Sequence, residues 1–345
     1  MTSFASVNLA QLPTGLITRD FPLLRIGVSS RALFRDDWDQ KGGMAGWRAH
    51  HMAQKNVPLA PSQAFPFVRG LLRLNDFFPK VFDGQTIPPA VEVHVVSKSH
   101  PDCADRFILS LQHHGLNRFA DDGNHGMGAL RFLNGGDVLP HLKSLEVQFF
   151  LGTNKQDVIK ILKEGIAAAH IDTRSDIDLK PLLEQEQLVV FLDGDGVIFT
   201  DEAEGVFQNG GLQVFNHHEI EKVAEPLNRG PLDWETGKHS FLQGLMTLRS
   251  LFHKEREQSP LVLGLMTARG LATLPRANNT LHSRGYHFDL EFGQSGFTKG
   301  RDLAIMGATI LFDDSSTHAR SANQHGVPAA HVPYGVKNES GEGEK

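Results

Sequence analysis

Leu188-Val189-Val190-Phe191-Leu192-Asp193-Gly194-Asp195-Gly196-Val197-Ile198-Phe199-Thr200 decides how this chain is read. It opens with five apolar residues, as a strand buried on both faces requires. It then meets two carboxylates separated by one glycine. An unpaired buried carboxylate is costly, so acids at the end of an apolar strand imply something cationic there. In an open α/β sheet the carboxyl ends of the strands are where ligands bind. Taken alone, the pattern reads more simply as a strand followed by an Asp-Gly turn. The rest of the chain decides between the two.

The chain has 345 residues, room for two ordinary domains or one large one. Hydrophobic residues make up 40% and charged residues 21%, the balance of a soluble globular protein. A net charge of −6 argues against general nucleic-acid affinity. The single cysteine, Cys103, excludes an internal disulfide and suits a reducing, cytoplasmic compartment. Residues 1–22 lack a basic segment followed by an apolar core, so no secretory leader is expected. No apolar run reaches bilayer length, so no membrane partner is expected. The polar, Gly-rich tail at 337–345 reads as disordered. The histidines are scattered, and none pairs at metal-ligand spacing.

In chain order, strands are expected at Leu23–Val28, Val91–Val96, Leu145–Leu151, Leu188–Leu192, Leu261–Met266 and Thr309–Phe312. Helical spacing marks Phe65–Asn75, Asp102–His113, Lys155–Glu164 and Phe241–Phe252. A Gly-rich stretch lies at Asp122–Gly128, a polar linker at Asp172–Gln187, and a mixed, Gly-interrupted stretch from Asp201 to about Pro231.

The two parts of the chain repeat. Gly165–Ile171 (GIAAAHI) matches Gly326–Val332 (GVPAAHV). Run back from that anchor, Gly152-Thr153-Asn154 falls on Asp313-Asp314-Ser315, Ser97-Lys98 on Thr267-Ala268, and Ser29-Ser30-Arg31 on Asp193-Gly194-Asp195. Four matches in one order indicate two doubly wound α/β halves with parallel sheets. Right-handed crossovers then gather the strand ends of each half on one edge. The expected organisation is an acid-free half at 23–171, a linker at 172–187, and a second half at 188–336 with a cap insertion at about 201–234.

One edge of the second half should collect Asp193, Asp195, Thr267, Lys299, Asp313 and Asp314. Carboxylates alone repel one another. A hard divalent cation with oxygen ligands, Mg2+ before others, relieves this. With Lys299 and Thr267 as donors, such a site suits a phosphate. One aspartate can attack phosphorus to give an aspartyl-phosphate, and an acid two residues on can protonate the leaving oxygen and later activate water.

These residues also carry a family resemblance. Leu188–Val197 resembles motif I of the haloacid dehalogenase superfamily. Thr267, Lys299 and Asp313-Asp314 resemble its motifs II, III and IV, in order. Ser29-Ser30-Arg31-Ala32-Leu33-Phe34, Gln63-Ala64-Phe65-Pro66-Phe67-Val68, Phe199-Thr200-Asp201-Glu202 and Ala330-His331-Val332-Pro333-Tyr334-Gly335-Val336 together are similar to the cytosolic 5′-nucleotidase I family. The resemblance implies Mg2+-dependent hydrolysis of nucleoside 5′-monophosphates. It implies Asp193 as nucleophile and metal ligand, and Asp195 as general acid/base with its backbone carbonyl on the metal. Thr267 and Lys299 would hold phosphoryl oxygens. Asp313 and Asp314 would complete the metal site, in a division the sequence does not resolve. The chain departs from the family pattern at Gly196, where vertebrate members resemble Asp-Gly-Asp-Ala; a small residue is kept.

The cap insertion offers Phe215, Asn216 and His217 as candidate contacts to base or sugar. Arg269 is either a phosphate neighbour or a solvated charge. In the first half, Ser29, Ser30, Arg31, Ser97, Lys98, Thr153 and Asn154 should share an edge without acids. That edge is either a structural duplicate with solvated polar ends or an anion site for an effector nucleotide or part of the substrate. Competing readings are a phosphotransferase or sugar phosphatase of the same superfamily, and a nucleotide-binding sensor without turnover. A homo-oligomer is compatible with all of them.

Overall fold

The structure is a computed structural model that describes residues 22–38, 42–78, 81–82, 85–116, 126–252 and 255–339. Most of the Gly-rich stretch at 122–128, residues 1–21 and the tail beyond 339 lie outside the described residues.

Ten strands form one sheet: β1 (Leu24–Val28), β2 (Val91–Ser97), β3 (Met127–Phe132), β4 (Phe149–Gly152), β5 (Ala167–Ile171), β6 (Leu188–Leu192), β7 (Leu261–Thr267), β8 (Leu290–Gly293), β9 (Ile310–Asp313) and β10 (Ala329–His331). Their order across the sheet is β8-β7-β6-β9-β10-β5-β4-β1-β2-β3. Each half therefore has the same doubly wound order, with its first strand in the middle. β6 sits between β7 and β9, and all five of its residues are buried. That burial on both faces accounts for the uninterrupted apolar run that opens the decisive stretch.

The halves lie side by side. β10 meets β5 in an antiparallel contact, Ala330 opposite Ile171 and His331 opposite His170. All other pairings in this sheet are parallel. Hence the carboxyl ends of the strands in the two halves point to opposite edges of the sheet. The seam has only those two pairs, so side chains must hold it. Phe149 stacks on Phe241 at 4.3 Å between ring centroids, and both Phe149 and Phe67 meet Phe312 edge-on, at 5.3 and 5.6 Å. Each such buried ring contributes roughly 1.5–3 kcal/mol, so the four together outweigh the ~1–3 kcal/mol of two ladder hydrogen bonds.

The repeat extends to backbone detail. Asn134 and Gly135 have φ of 47° and 83°, and Ser295 and Gly296, at the same places in the second half, have 49° and 84°. Helices Lys155–Lys163 and Ser316–Gln324 are equally long. Both are capped by a side chain, Asn154 accepting from Asp157 N and Ser315 from His318 N.

Three expectations needed correction. Leu145–Leu151 is not one strand: Leu145–Gln148 closes the preceding helix, with Glu146 at φ 51°, and only Phe149–Gly152 is extended. The stretch after Asp201 is not irregular, because Glu202–Glu221 is helical with one break at Gly211, whose φ of 70° is non-helical. The edge strands β3 and β8 were not anticipated, because they are only partly buried and lack a continuous apolar run. The 172–187 connector carries a short helix, Lys180–Glu184, and Gln63 Nε2 donates to its Ser175 carbonyl at 2.9 Å. Val336–Glu339 is a helical turn. No helix among the described residues is long and apolar enough to cross a membrane.

Candidate active site

β6 ends at Leu192, and Asp193 N still donates to Phe312 O at 2.9 Å, so its first acid is fixed at the sheet's edge. The chain then curls: Gly194 O accepts from both Ile198 N and Phe199 N at 2.9 Å. Gly196 has φ of 77°, and a Cβ there would lie 2.7 Å from Asp314 Oδ2. The small residue noted in the sequence thus has a consequence, since even one methyl group would press on that carboxylate.

β9 ends at Asp313, beside β6, and brings Asp313-Asp314 to the same edge. Asp313 is fully buried, and its Oδ1 accepts from Ser315 N at 2.8 Å. Lys299, also fully buried, donates to Asp193 Oδ1 at 2.8 Å and to Asp313 Oδ2 at 2.6 Å. Burial would depress its ammonium, but Asp193 and Asp313 hold it up, at about 12. Burial pushes the Asp193 carboxyl up; Asp313 adds to this and Lys299 opposes it only in part. Oxygen atoms of Asp193, Asp313 and Asp314 lie within 4.8 Å of one another. Three buried acids with one lysine leave negative charge to be met, and an all-oxygen donor set fits a hard divalent cation.

β7 ends at Thr267, which is buried against Gly194, and its Oγ1 accepts from Arg269 N at 3.2 Å. Arg269 is neither solvated nor turned to the buried acids. It is 2% exposed and grips Asp195 with two donors, each at 2.8 Å. Its remaining arm pairs with Glu219, on the helix that follows the decisive stretch. Arg276 Nη1 joins the same Glu219 at 2.6 Å. Burial would raise the Glu219 carboxyl, but Arg269 and Arg276 carry it below the ordinary range.

Above these residues opens a cavity of about 550 Å³, within the ~300–1,000 Å³ span of small-molecule sites. Asp193, Asp195 and Asp314 line its floor, and Phe207, Leu212, Phe215 and Asn216 of helix Glu202–Glu221 line its wall. Phe215 also lies under the Arg269 guanidinium, 5.8 Å from the ring centre. Of the three cap candidates, Phe215 and Asn216 face the cavity. His217 does not line it; its ring is largely exposed and pairs with Glu221 at 3.1 Å.

The sequence reading missed Glu219 and Arg276. Arg276 lies in the first turn of helix Leu274–Ser283 while Arg269 lies in the loop before it, so no single periodicity links the two. Nothing around Glu219 marks it: His218 Nδ1 lies 3.1 Å from its Oε1, but its two arginine partners are fifty or more residues away.

The acid-free edge of the first half gathers as expected. Ser29, Ser30, Arg31, Ser97, Lys98, Thr153 and Asn154 all line one cavity of about 160 Å³. Ser30 Oγ contacts Ser97 Oγ at 2.7 Å and Ser99 Oγ at 3.1 Å. Lys98 pairs with Asp157 at 2.6 Å, and Arg31 with Asp36 at 3.2 Å. Because the two halves meet antiparallel, this edge lies at the opposite end of the strands from the cavity over Asp193.

A family model described as 5′-nucleotidase matches residues 18–339. Cytosolic 5′-nucleotidase 1B of Homo sapiens is 29% identical over 322 residues, covering 89% of this chain and 48% of the human protein. The chain thus spans about half the length of that curated relative. No solved structure matches it significantly.

Proposed function

The chain belongs to the 5′-nucleotidase family, and from that premise we propose that it hydrolyses nucleoside 5′-monophosphates to nucleoside and phosphate in a Mg2+-dependent reaction. The observation that carries the reading is one juxtaposition. Asp193 and Asp314 line the floor of a cavity whose wall is largely apolar and aromatic, and the buried Asp313 and Lys299 gather against Asp193 beneath it. The floor suits a metal-bound phosphate, and the wall suits a base and sugar.

In this reading Asp193, Asp313 and Asp314 hold Mg2+, with the Asp195 carbonyl as a further ligand. When bound, Mg2+ neutralises the acids and polarises the phosphoryl oxygens. Asp193 attacks phosphorus, and the nucleoside oxygen leaves with a proton from Asp195. Asp195 then takes a proton from the water that cleaves the aspartyl-phosphate, which restores both acids. Lys299 and Thr267 hold the phosphoryl oxygens as charge builds up on them. Arg269 fixes where the Asp195 carboxylate stands. Phe215 and Asn216 contact the nucleoside.

The repeated topology supports treating 23–171 and 188–336 as two α/β units joined by 172–187, with 201–234 as the cap. The name of the human relative and the lone buried Cys103 support a cytoplasmic location.

Acid quenching with a phosphate-labelled nucleotide tests the chemistry. Asp195→Asn should slow breakdown of the intermediate and leave label on the protein, whereas Asp193→Asn should leave none. Label retained by Asp193→Asn would remove that residue as nucleophile.

A further inference from the structure

We propose that the carboxyl edge of the first half is a second, metal-independent site for the phosphate group of a phosphomonoester, such as a nucleotide. It lies on the opposite edge of the sheet from the catalytic cavity. The two edges are built alike but furnished differently. Ser29 follows β1 as Asp193 follows β6, Ser97 ends β2 as Thr267 ends β7, and Gly152 ends β4 as Asp313 ends β9. The hydroxyl that ends the second strand of each half is therefore kept, while the attacking and metal-binding acids are gone.

What replaces them suits an anion. Ser30 and Ser97 are at least nine-tenths buried and line the cavity. Ser29 Oγ is fully buried and has no hydrogen-bond partner. A buried hydroxyl left unpaired costs about 1–3 kcal/mol, and turning the Ser29 side chain into the cavity it lines would let a phosphate oxygen relieve it. Lys98 supplies the charge: Asp157, also in the wall, occupies one of its three donors. Thr153 and Asn154 lead into helix Lys155–Lys163, whose first turn faces this edge. The volume of about 160 Å³ is close to the ~150 Å³ that admits a benzene-sized molecule, enough for a phosphate group.

Removing Mg2+ isolates this site, because phosphate binding in the second half needs its buried acids neutralised. The experiment is equilibrium dialysis of the full chain against labelled AMP, inorganic phosphate or adenosine, with excess EDTA. The Asp193→Asn chain serves as a second background. About one equivalent of AMP should bind in both backgrounds. Affinity should fall about tenfold or more in Lys98→Met, the loss of one charge-assisted hydrogen bond. Ser29→Ala should weaken binding in the same direction. It removes no protein hydrogen bond and relieves an unpaired hydroxyl, so a melting temperature that is unchanged or raised separates lost affinity from misfolding. Inorganic phosphate binding as tightly as AMP would mean that the site reads the phosphate alone; tighter AMP would mean that it also holds the nucleoside. The proposal is overturned by no binding in EDTA, by adenosine binding as well as AMP, or by binding that neither Lys98→Met nor Ser29→Ala weakens.

Discussion

Arg269 and Asp195 form a two-pronged pair, Nε to Oδ2 and Nη2 to Oδ1, both at 2.8 Å. The third arm of the same guanidinium rests on Glu219 of helix Glu202–Glu221. The acid proposed to carry the proton is thereby tied to the helix that walls the cavity.

Arg269→Lys keeps the charge but loses the fork. Misplacing a reacting group by about 1 Å can cost ~10²-fold, so kcat should fall roughly 10–100-fold with little change in substrate binding. Steady-state kinetics beside a binding titration checks this. An unchanged kcat would make the pair structural only.

Glu219 is fully buried between Arg269 and Arg276. Glu219→Ala would leave two buried guanidinium groups facing each other. Removing one partner from a buried ion pair typically costs ~3–5 kcal/mol, and urea unfolding should show a loss of that order. A loss within the range of a surface substitution would mean that the arginines find other partners.

Gly196→Ala places a methyl group 2.7 Å from Asp314 Oδ2 at a backbone φ of 77°. Vertebrate members of the resembling family carry Ala here, so the carboxylate can shift to admit a methyl group; if Asp314 is a metal ligand, that shift should weaken Mg2+ binding by less than the ~10-fold of a lost supporting residue. A Mg2+ titration of activity reads the shift, and an unmoved midpoint would separate Asp314 from the metal.

Asp36 provides the pH-dependent case. Burial would raise its carboxyl, but His51, Trp47 and Arg31 more than offset this and hold it at about 2, against an ordinary 3.8. A depressed carboxyl stabilises the fold above its unfolded value, and that contribution disappears as pH falls through the folded value. The stability gap between wild type and Asp36→Asn should therefore close as pH drops from 3.8 to about 2. A gap that stays constant over that window would contradict the pairing.

Much of this is legible because the candidate site residues sit at strand ends or one step beyond them. Asp193, Thr267 and Asp313 each follow or close an apolar run, and a parallel sheet with right-handed crossovers must bring such ends together. Lys299 announced itself through its order in the chain. What was not legible depends on contacts between distant segments. Glu219 meets Arg269 only because helix Glu202–Glu221 returns to the loop that follows β7. The seam brings Ile171 and Ala330 together antiparallel and is packed by Phe149, Phe241 and Phe312 from distant segments, which no local pattern encodes. The spacing of Phe215, Asn216 and His217 does not tell which of them faces the cavity; helix Glu202–Glu221 turns Phe215 and Asn216 toward it.

The most direct test is phosphate release from a panel of ribo- and deoxyribonucleoside monophosphates, with sugar phosphates as controls, by wild type and Asp193→Asn. The predicted result is release from nucleotides that needs Mg2+, stops with EDTA, and falls at least ~10³-fold in Asp193→Asn. Release that persists in EDTA, or near-wild-type turnover by Asp193→Asn, would contradict the account.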